Sequence, residues 1–125
     1  MRKREMALCS LVLAVCLASF AHGENIQEQR AINHLLNFVE TSRCTFVRNG
    51  VEYDSGNAAA HIKQKYNYFK SQIHSADDFI ALAATKSELS GRSYFVRCAQ
   101  GEAIPSADWL REELEVYRKV SKEKK

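Results

Sequence analysis

The spacing of apolar positions divides the chain beyond residue 24 into segments of helical and strand periodicity. Four segments place apolar residues three or four positions apart, which is the spacing of one helix face. We predict helices over residues 25–42, from Asp54-Ser55 onward, from Ser75 to about Thr85, and from Ser106 onward. Asp54 or Ser55, and Ser75, are the predicted N-caps of the second and third helices. The predicted buried residues are Ile26, Ile32, Leu35, Leu36 and Val39; Ala58, Ile62, Tyr66 and Phe69; Phe79, Ile80 and Ala83; and Trp109, Leu110, Leu114, Tyr117 and Val120.

Between the first two helices, the segment CTFVRNGVEYD alternates as two strands around Asn49-Gly50. Asn-Gly favours the pair of positive φ angles that a type I′ hairpin turn requires. This turn places Arg48 opposite Val51 and Phe46 opposite Tyr53. Because successive side chains of a strand point to opposite faces, one face is distinctly more apolar than the other. The residues of that face, predicted to be buried, are Cys44, Phe46, Val51 and Tyr53.

A third strand is predicted over SYFVRC, residues 93–98, because an isolated two-stranded hairpin is marginally stable in water. Laid antiparallel to the first strand, it brings Cys98 opposite Cys44 and Val96 near Phe46, with Tyr94 on the same face. The sequence therefore predicts an α+β fold. It consists of a small three-stranded antiparallel sheet and about four helices, in the order α-β-β-α-α-β-α.

The N-terminus has the layout of a secretory signal peptide. Three basic residues at positions 2–4 precede the short apolar run of residues 6–20, and Ala21-His22-Gly23 offers small residues at a cleavage site. A membrane span needs about 20 apolar residues, so we expect cleavage after Gly23 and a single exported α+β domain over residues 24–125, with no membrane span left. Lipidation at Cys16 is the alternative, although Val15 is larger than the residue that usually precedes a lipidated cysteine.

Removal of this leader changes both the cysteine count and the charge. Two of the four cysteines remain, Cys44 and Cys98, and an even pair in an exported domain predicts one disulfide. The whole chain has 18 basic and 15 acidic residues, and loss of three basic residues and Glu5 leaves 15 and 14. A net charge of +1 without a basic stripe argues against a nucleic-acid partner.

Motifs for catalysis and metal binding are absent from the sequence. It contains no G-x-S-x-G, no H-E-x-x-H and no glycine-rich phosphate loop. The histidines at positions 34, 61 and 74 are dispersed, so we predict no metal and no cofactor. His61 is a weak candidate base that would need Ser87 or Ser90 as its nucleophile within hydrogen-bonding distance. The simpler interpretation of His61 is a hydrogen-bonded structural histidine.

The segment TKSELSGRSY, residues 85–94, has two interpretations. It is either a helix end followed by a turn, with Gly91 in a left-handed conformation, or a polar binding loop on a rigid scaffold. For the second interpretation the candidate binding residues are Lys86, Ser87, Ser90, Gly91, Arg92 and Tyr94, with Arg48 and Arg97 nearby. Within the segment, Ser90-Gly91-x-x-Tyr94 resembles the SGxxY motif of bacterial periplasmic lysozyme inhibitors, which are mainly β-structured.

A broader resemblance covers about residues 26–119. The segments SRCTFVRNGVEYDSGNAAAHIKQKYNYF, ADDFIALAATKSELSGRSYFVRC and ADWLREELEVYRK resemble the family called domain of unknown function 5329, small exported YfeK-like proteins of Gram-negative bacteria. Ser93 and Glu88 stand where that family usually has proline and a second serine. Since the family has no established activity, the resemblance implies periplasmic export and a shared fold.

Three functional hypotheses remain at this point. The leading one is a non-enzymatic interaction domain of the cell envelope that binds an unknown periplasmic protein or envelope component. The second is a lysozyme-inhibitor-like binder acting through the SGxxY loop. The third is a small hydrolase that uses His61 with Ser87 or Ser90.

Overall fold

The computed structural model describes residues 26–124, which form four α-helices and a four-stranded antiparallel sheet. Helix α1 covers residues 26–41. The strands are β1 (Thr45–Arg48), β2 (Val51–Tyr53), β3 (Phe95–Arg97) and β4 (Ile104–Pro105). The remaining helices are α2 (Ser55–Tyr68), α3 (Ala76–Ala83) and α4 (Ser106–Glu123), and a 3₁₀ turn covers Lys70–Gln72. The predicted α+β class is therefore confirmed.

Local sequence signals set the ends of two helices as predicted. The side chain of Asp54 accepts a hydrogen bond of 2.8 Å from the backbone N–H of Asn57 at the start of α2. Ser75 accepts one of 3.0 Å from the backbone N–H of Asp78 at the start of α3. Each contact satisfies an N–H group that the first helical turn leaves without a partner.

The hairpin has the predicted turn and register. Asn49 and Gly50 both have positive φ, 52° and 77°, as a type I′ turn requires. Phe46 lies opposite Tyr53, and Arg48 lies opposite Val51. Strand β1 is in the middle of the sheet, whose order is β2-β1-β3-β4.

The predicted number of strands was wrong, because the sheet has a fourth strand. Residues Ile104–Pro105 pair with β3, with Ile104 opposite Val96. Two residues are too few to show alternation in the sequence, and proline is uncommon within a sheet. Proline is tolerated here because β4 is an edge strand, where its missing N–H removes no ladder hydrogen bond. The third predicted strand is also shorter than expected, covering Phe95–Arg97.

The predicted disulfide is confirmed. Cys44 and Cys98 are bonded, with their Cα atoms 4.4 Å apart and a sequence separation of 54. The pairing of Thr45 with Arg97 continues the β1–β3 register to the two cysteines. The bond therefore links the start of β1 to the residue that follows β3.

The helices cover one face of the sheet and enclose the core. Phe79, Leu35, Ile80, Leu110 and Leu114 are its largest fully buried side chains. The assignment of buried faces was wrong for three residues: Val51, Val120 and Ile26 are 44–52% exposed. Ile26 and Val120 lie near helix ends that extend past the core, and Val51 lies on the edge strand beside the turn. The spacing of apolar residues does not show where a helix or strand extends past the elements that pack against it.

The predicted leader, including Cys16 and the cleavage position after Gly23, lies outside the described residues. Within residues 26–124, no helix has both the length and the apolar character needed to cross a membrane.

Candidate binding site

Five polar and aromatic side chains converge between the hairpin and α2, and we call them the Arg48 cluster. Arg48 comes from the end of β1, Tyr53 from β2, and Tyr94 from the residue before β3. His61 and Lys65 lie one helical turn apart on α2, so they project from the same side of that helix. Four segments of the chain are therefore needed to assemble the cluster.

The guanidinium group of Arg48 is at the centre of this arrangement. Its Nη1 atom lies 2.7 Å from both ring nitrogens of His61, and its Nη2 atom donates a hydrogen bond of 3.0 Å to the Tyr53 hydroxyl. The guanidinium carbon also lies 4.8 Å from the centre of the Tyr53 ring, which is the geometry of a cation–π contact. Arg48 is half-buried.

His61 is held in its neutral form by its surroundings. Burial, followed by the positive charges of Arg48 and Lys65, lowers the pKa of His61 below its ordinary value of 6.5. A neutral imidazole has one unprotonated nitrogen, which can accept a hydrogen bond from Arg48. The other ring contact of His61 is with the Tyr94 hydroxyl, 3.3 Å from Nε2.

Lys65 connects the cluster to the segment of residues 85–94, which we call the 85–94 loop. Its side chain is only 11% exposed. The ammonium group donates a hydrogen bond of 2.7 Å to the backbone carbonyl of Lys86, and lies 3.3 Å from the Tyr94 hydroxyl and 3.4 Å from a carboxylate oxygen of Glu88. Lys65 thus joins α2 to both ends of the loop.

The 85–94 loop is held in shape by its own hydrogen bonds. Backbone bonds join Ser87 N–H to Arg92 O and Gly91 N–H to Ser87 O, at 3.0 and 2.9 Å. Gly91 has a φ of 73°, the left-handed conformation expected for it. Since Ser87 is buried, its hydroxyl is part of the loop's internal structure.

A further contact ties this loop to the hairpin turn. The amide nitrogen of Asn49 donates a hydrogen bond of 3.3 Å to the Ser87 hydroxyl, and the Ser90 hydroxyl donates one to the amide oxygen of Asn49. Asn49 therefore serves both as a turn residue and as the docking point of the loop.

The structure brings some of the predicted site residues together and separates others. Arg48 and Tyr94 meet at His61, while Lys86 contributes its backbone carbonyl to Lys65. Arg97 lies on the opposite face of the sheet, where it forms an ion pair of 3.2 Å with Glu52. Arg92 is exposed near Gly50, away from the cluster.

The candidate catalytic pair is not formed. In residues 26–124 no hydrogen bond joins His61 to Ser87 or Ser90; both hydroxyls bond Asn49 instead. Nor does that part of the chain contain a group of three His, Cys, Asp or Glu side chains able to hold a metal ion. The contacts of His61 with Arg48 and Tyr94 agree with its structural interpretation.

Two clefts open on either side of the Arg48 cluster. The first, of about 740 Å³, lies against α2 and the inner face of the hairpin, and the second, of about 580 Å³, extends toward the 85–94 loop. Arg48, Tyr53, His61 and Tyr94 line both. These volumes are within the range of known ligand sites.

The second cleft has an exposed apolar rim. Leu89 at the tip of the loop is fully exposed, Tyr68 at the end of α2 is 81% exposed, and Val51 on the edge strand is 52% exposed. Large apolar side chains that surround one opening are typical of protein interaction sites.

Sequence reasoning missed three residues that build the site: Asn49, Tyr53 and Lys65. Asn49 was interpreted only as a turn residue, and Tyr53 only as part of the buried face. The spacing of Lys65, four residues after His61, is a signal that could have identified it.

Comparison with known proteins places this chain in a family. The model of a family described as "Family of unknown function (DUF5329)" matches residues 26–118. The chain is 32% identical over 89 residues to "Uncharacterized protein YfeK" of Salmonella typhimurium (strain LT2), and the match covers 70% of this chain and 73% of the relative. No solved structure matches the chain. The family resemblance noted in the sequence is confirmed.

Proposed function

The chain belongs to the family of unknown function DUF5329, and we propose that it is an exported, non-enzymatic domain that binds a protein partner in the periplasm. The partner would dock on the second cleft, with its rim of Val51, Tyr68 and Leu89. The proposal includes the expected cleavage after Gly23. This cleavage would release the domain as a soluble component of the envelope.

The observation that carries this proposal is the exposure of the rim. Burying an exposed Leu or Tyr side chain is worth about 1.5–3 kcal/mol, so three such residues around one opening offer a substantial gain to a docked protein. Tyrosine is among the residues that most often dominate binding energy at interfaces. The 85–94 loop that carries Leu89 is braced by Lys65 and Asn49, so little ordering is needed on binding.

The contacts favour this function over the two alternatives. The hydrolase hypothesis needs His61 beside a serine hydroxyl, and those hydroxyls bond Asn49 instead. The SGxxY hypothesis needs an accessible tyrosine, whereas Tyr94 is 7% exposed and its hydroxyl contacts His61 and Lys65.

Site-specific photocross-linking in Gram-negative cells tests the proposal. A photoreactive amino acid at position 89 of the full chain, exported with its own N-terminal segment, should give a discrete cross-linked product with one envelope protein. The matched control is position 116, because Val116 is 51% exposed on α4 and lines neither cleft.

The purified partner then provides a quantitative test. Leu89→Ser or Tyr68→Ser should weaken its binding about tenfold or more, from the lost apolar burial, and Val116→Ser should not. The same cross-linked products from positions 89 and 116, or no product from position 89, would contradict the proposal.

A further inference from the structure

We propose that Arg48 is the carboxylate-binding residue of this surface and that the segment it receives is acidic. The partner segment would place an aspartate or glutamate on the guanidinium group while its neighbouring apolar residues contact the rim of the second cleft. This inference deepens the proposed function and rests on it.

The first argument is the unused hydrogen-bonding capacity of Arg48. A guanidinium group has five N–H bonds in a planar fork. His61 and Tyr53 each accept one of them, which leaves three donors without a protein partner among the described residues. Two N–H bonds on adjacent nitrogens match the two oxygens of a carboxylate.

The second argument is charge. Within residues 26–124 no carboxylate lies within 4.0 Å of Arg48. The other arginines of that range without an ion pair, Arg30, Arg43 and Arg92, are exposed, whereas Arg48 is half-buried. Both partners of Arg48 are neutral: a tyrosine hydroxyl and a histidine kept unprotonated by burial and by the neighbouring cations. A half-buried cation without an anion is stabilised by a ligand that supplies one.

The other charges that face the cluster leave this positive potential largely in place. Lys65 contributes a second cation, which lies beside Glu88, the acidic residue that lines the second cleft. The Lys65 and Glu88 charges offset each other at 3.4 Å. The remaining net charge is positive: Arg48 lies at the boundary of the two clefts, and the exposed Lys63 lines the first.

The third argument identifies the ligand as a segment of polypeptide. Gln64 and Asn67 expose carboxamide groups along the wall of the first cleft and make no side-chain hydrogen bonds with other described residues. A carboxamide carries a donor and an acceptor, as a peptide group does. Gln64 also lines the second cleft, so carboxamide groups lie on both sides of Arg48, beside the apolar rim of the second cleft.

A display library of random nine-residue peptides, selected on the full chain after export and purification, tests this inference. We expect enrichment of peptides with an aspartate or glutamate close to a large apolar residue. Replacing that acidic residue by its amide in a synthetic peptide should raise the Kd on the wild-type protein about ten- to a hundredfold, the usual effect of losing a charge-assisted hydrogen bond. This comparison requires no protein variant.

Variants then assign the effect to Arg48. Arg48→Gln should lower the affinity for the acidic peptide to that for its amide form, and Arg48→Lys should give an intermediate affinity because it keeps the charge without the fork. Arg111→Gln is the matched control, since Arg111 is exposed on α4 and lines neither cleft.

Several outcomes would overturn the inference. These are selected peptides without an acidic bias, an equal Kd for the acid and amide forms, and binding to vesicles of anionic phospholipid without selection of any peptide. If position 89 cross-links to a partner whose affinity is unchanged by Arg48→Gln, the carboxylate assignment fails while the interaction surface stands. If no partner is found at position 89, the proposed function itself fails.

Discussion

Asn49 accepts a hydrogen bond from the hydroxyl of Ser90, a residue 41 positions later in the chain. The same amide donates to Ser87, so one side chain joins the tip of the hairpin to the middle of the 85–94 loop. Asn49 also has the positive φ of a type I′ turn. Asn49 therefore links the hairpin turn to the loop that carries Leu89.

Asn49→Asp separates these two roles. Aspartate tolerates the left-handed conformation but cannot donate to Ser87, so we expect the hairpin to persist while the loop loosens. The free energy of unfolding should fall by about 1 kcal/mol, and hydrogen exchange of the loop amides should accelerate more than that of β1. Asn67→Asp is the matched control, because Asn67 is exposed on α2. Equal effects of the two substitutions would show that only the added charge matters.

Lys65→Met tests how α2 holds the loop. The substitution removes the hydrogen bond to the Lys86 carbonyl, and we expect a loss of about 1 kcal/mol, the usual net contribution of one intramolecular hydrogen bond. Urea denaturation measures this loss as a lower midpoint with an unchanged slope. Lys63→Met, at the exposed neighbouring position, should change stability little. If both variants unfold at the same urea concentration, Lys65 does not brace the loop.

Removing the disulfide should destabilise the fold strongly. The bond closes a loop with a sequence separation of 54, for which the chain-entropy relation gives about 4 kcal/mol. The double variant Cys44→Ala/Cys98→Ala should lose about that amount in chemical denaturation. Its stability should also not respond to reductant, unlike that of the wild type. A wild-type protein that is equally stable with and without reductant would contradict this expectation.

The pKa of His61 should respond to Arg48. Its pKa in the folded protein lies below 6.5 because of burial, Arg48 and Lys65, and an NMR titration of Arg48→Gln should give a higher value. Arg111→Gln should leave the His61 titration unchanged. A pKa of His61 that is the same in Arg48→Gln and the wild type would show that the guanidinium charge does not act on the ring.

The same pKa gives the sign of a stability effect. Above pH 6.5, His61 is mostly neutral in both the folded and the unfolded states. In that range its protonation does not lower the free energy of unfolding. As the pH falls below 6.5, the unfolded chain takes up the proton first, so the free energy of unfolding decreases until the pH passes the folded pKa. His61→Gln should lack this part of the pH dependence when urea midpoints are compared over that range. An unchanged pH dependence in the variant would contradict the assignment.

The intact mass of the purified protein tests the predicted leader. Cleavage after Gly23 and one disulfide predict the mass of residues 24–125, which should rise by two hydrogen atoms on reduction. A lipid on Cys16 or a retained leader would each give a different mass. The leader lies outside the described part of the chain, so this measurement tests its cleavage and the lipidation of Cys16 independently of the fold.

The sequence by itself determined the helices, the hairpin, the third strand and the pairing of the cysteines. Helical spacing, the Asn49-Gly50 turn and the alternation before Cys98 each depend on residues within a few positions of one another, where backbone preferences and side-chain direction act. The disulfide was predicted from the cysteine count, since an even pair in an exported domain favours one bond, and the structure confirms it.

Only the tertiary structure showed which side chains form the candidate site. Arg48, Tyr94 and the α2 residues His61 and Lys65 come from three separate segments. Half-exposed polar side chains have no periodicity that would show which of them meet. Packing of α2 against the hairpin brought Arg48 to His61. The short strand β4 was found only in the structure for a similar reason, because its two residues form a strand only where β3 offers a free edge.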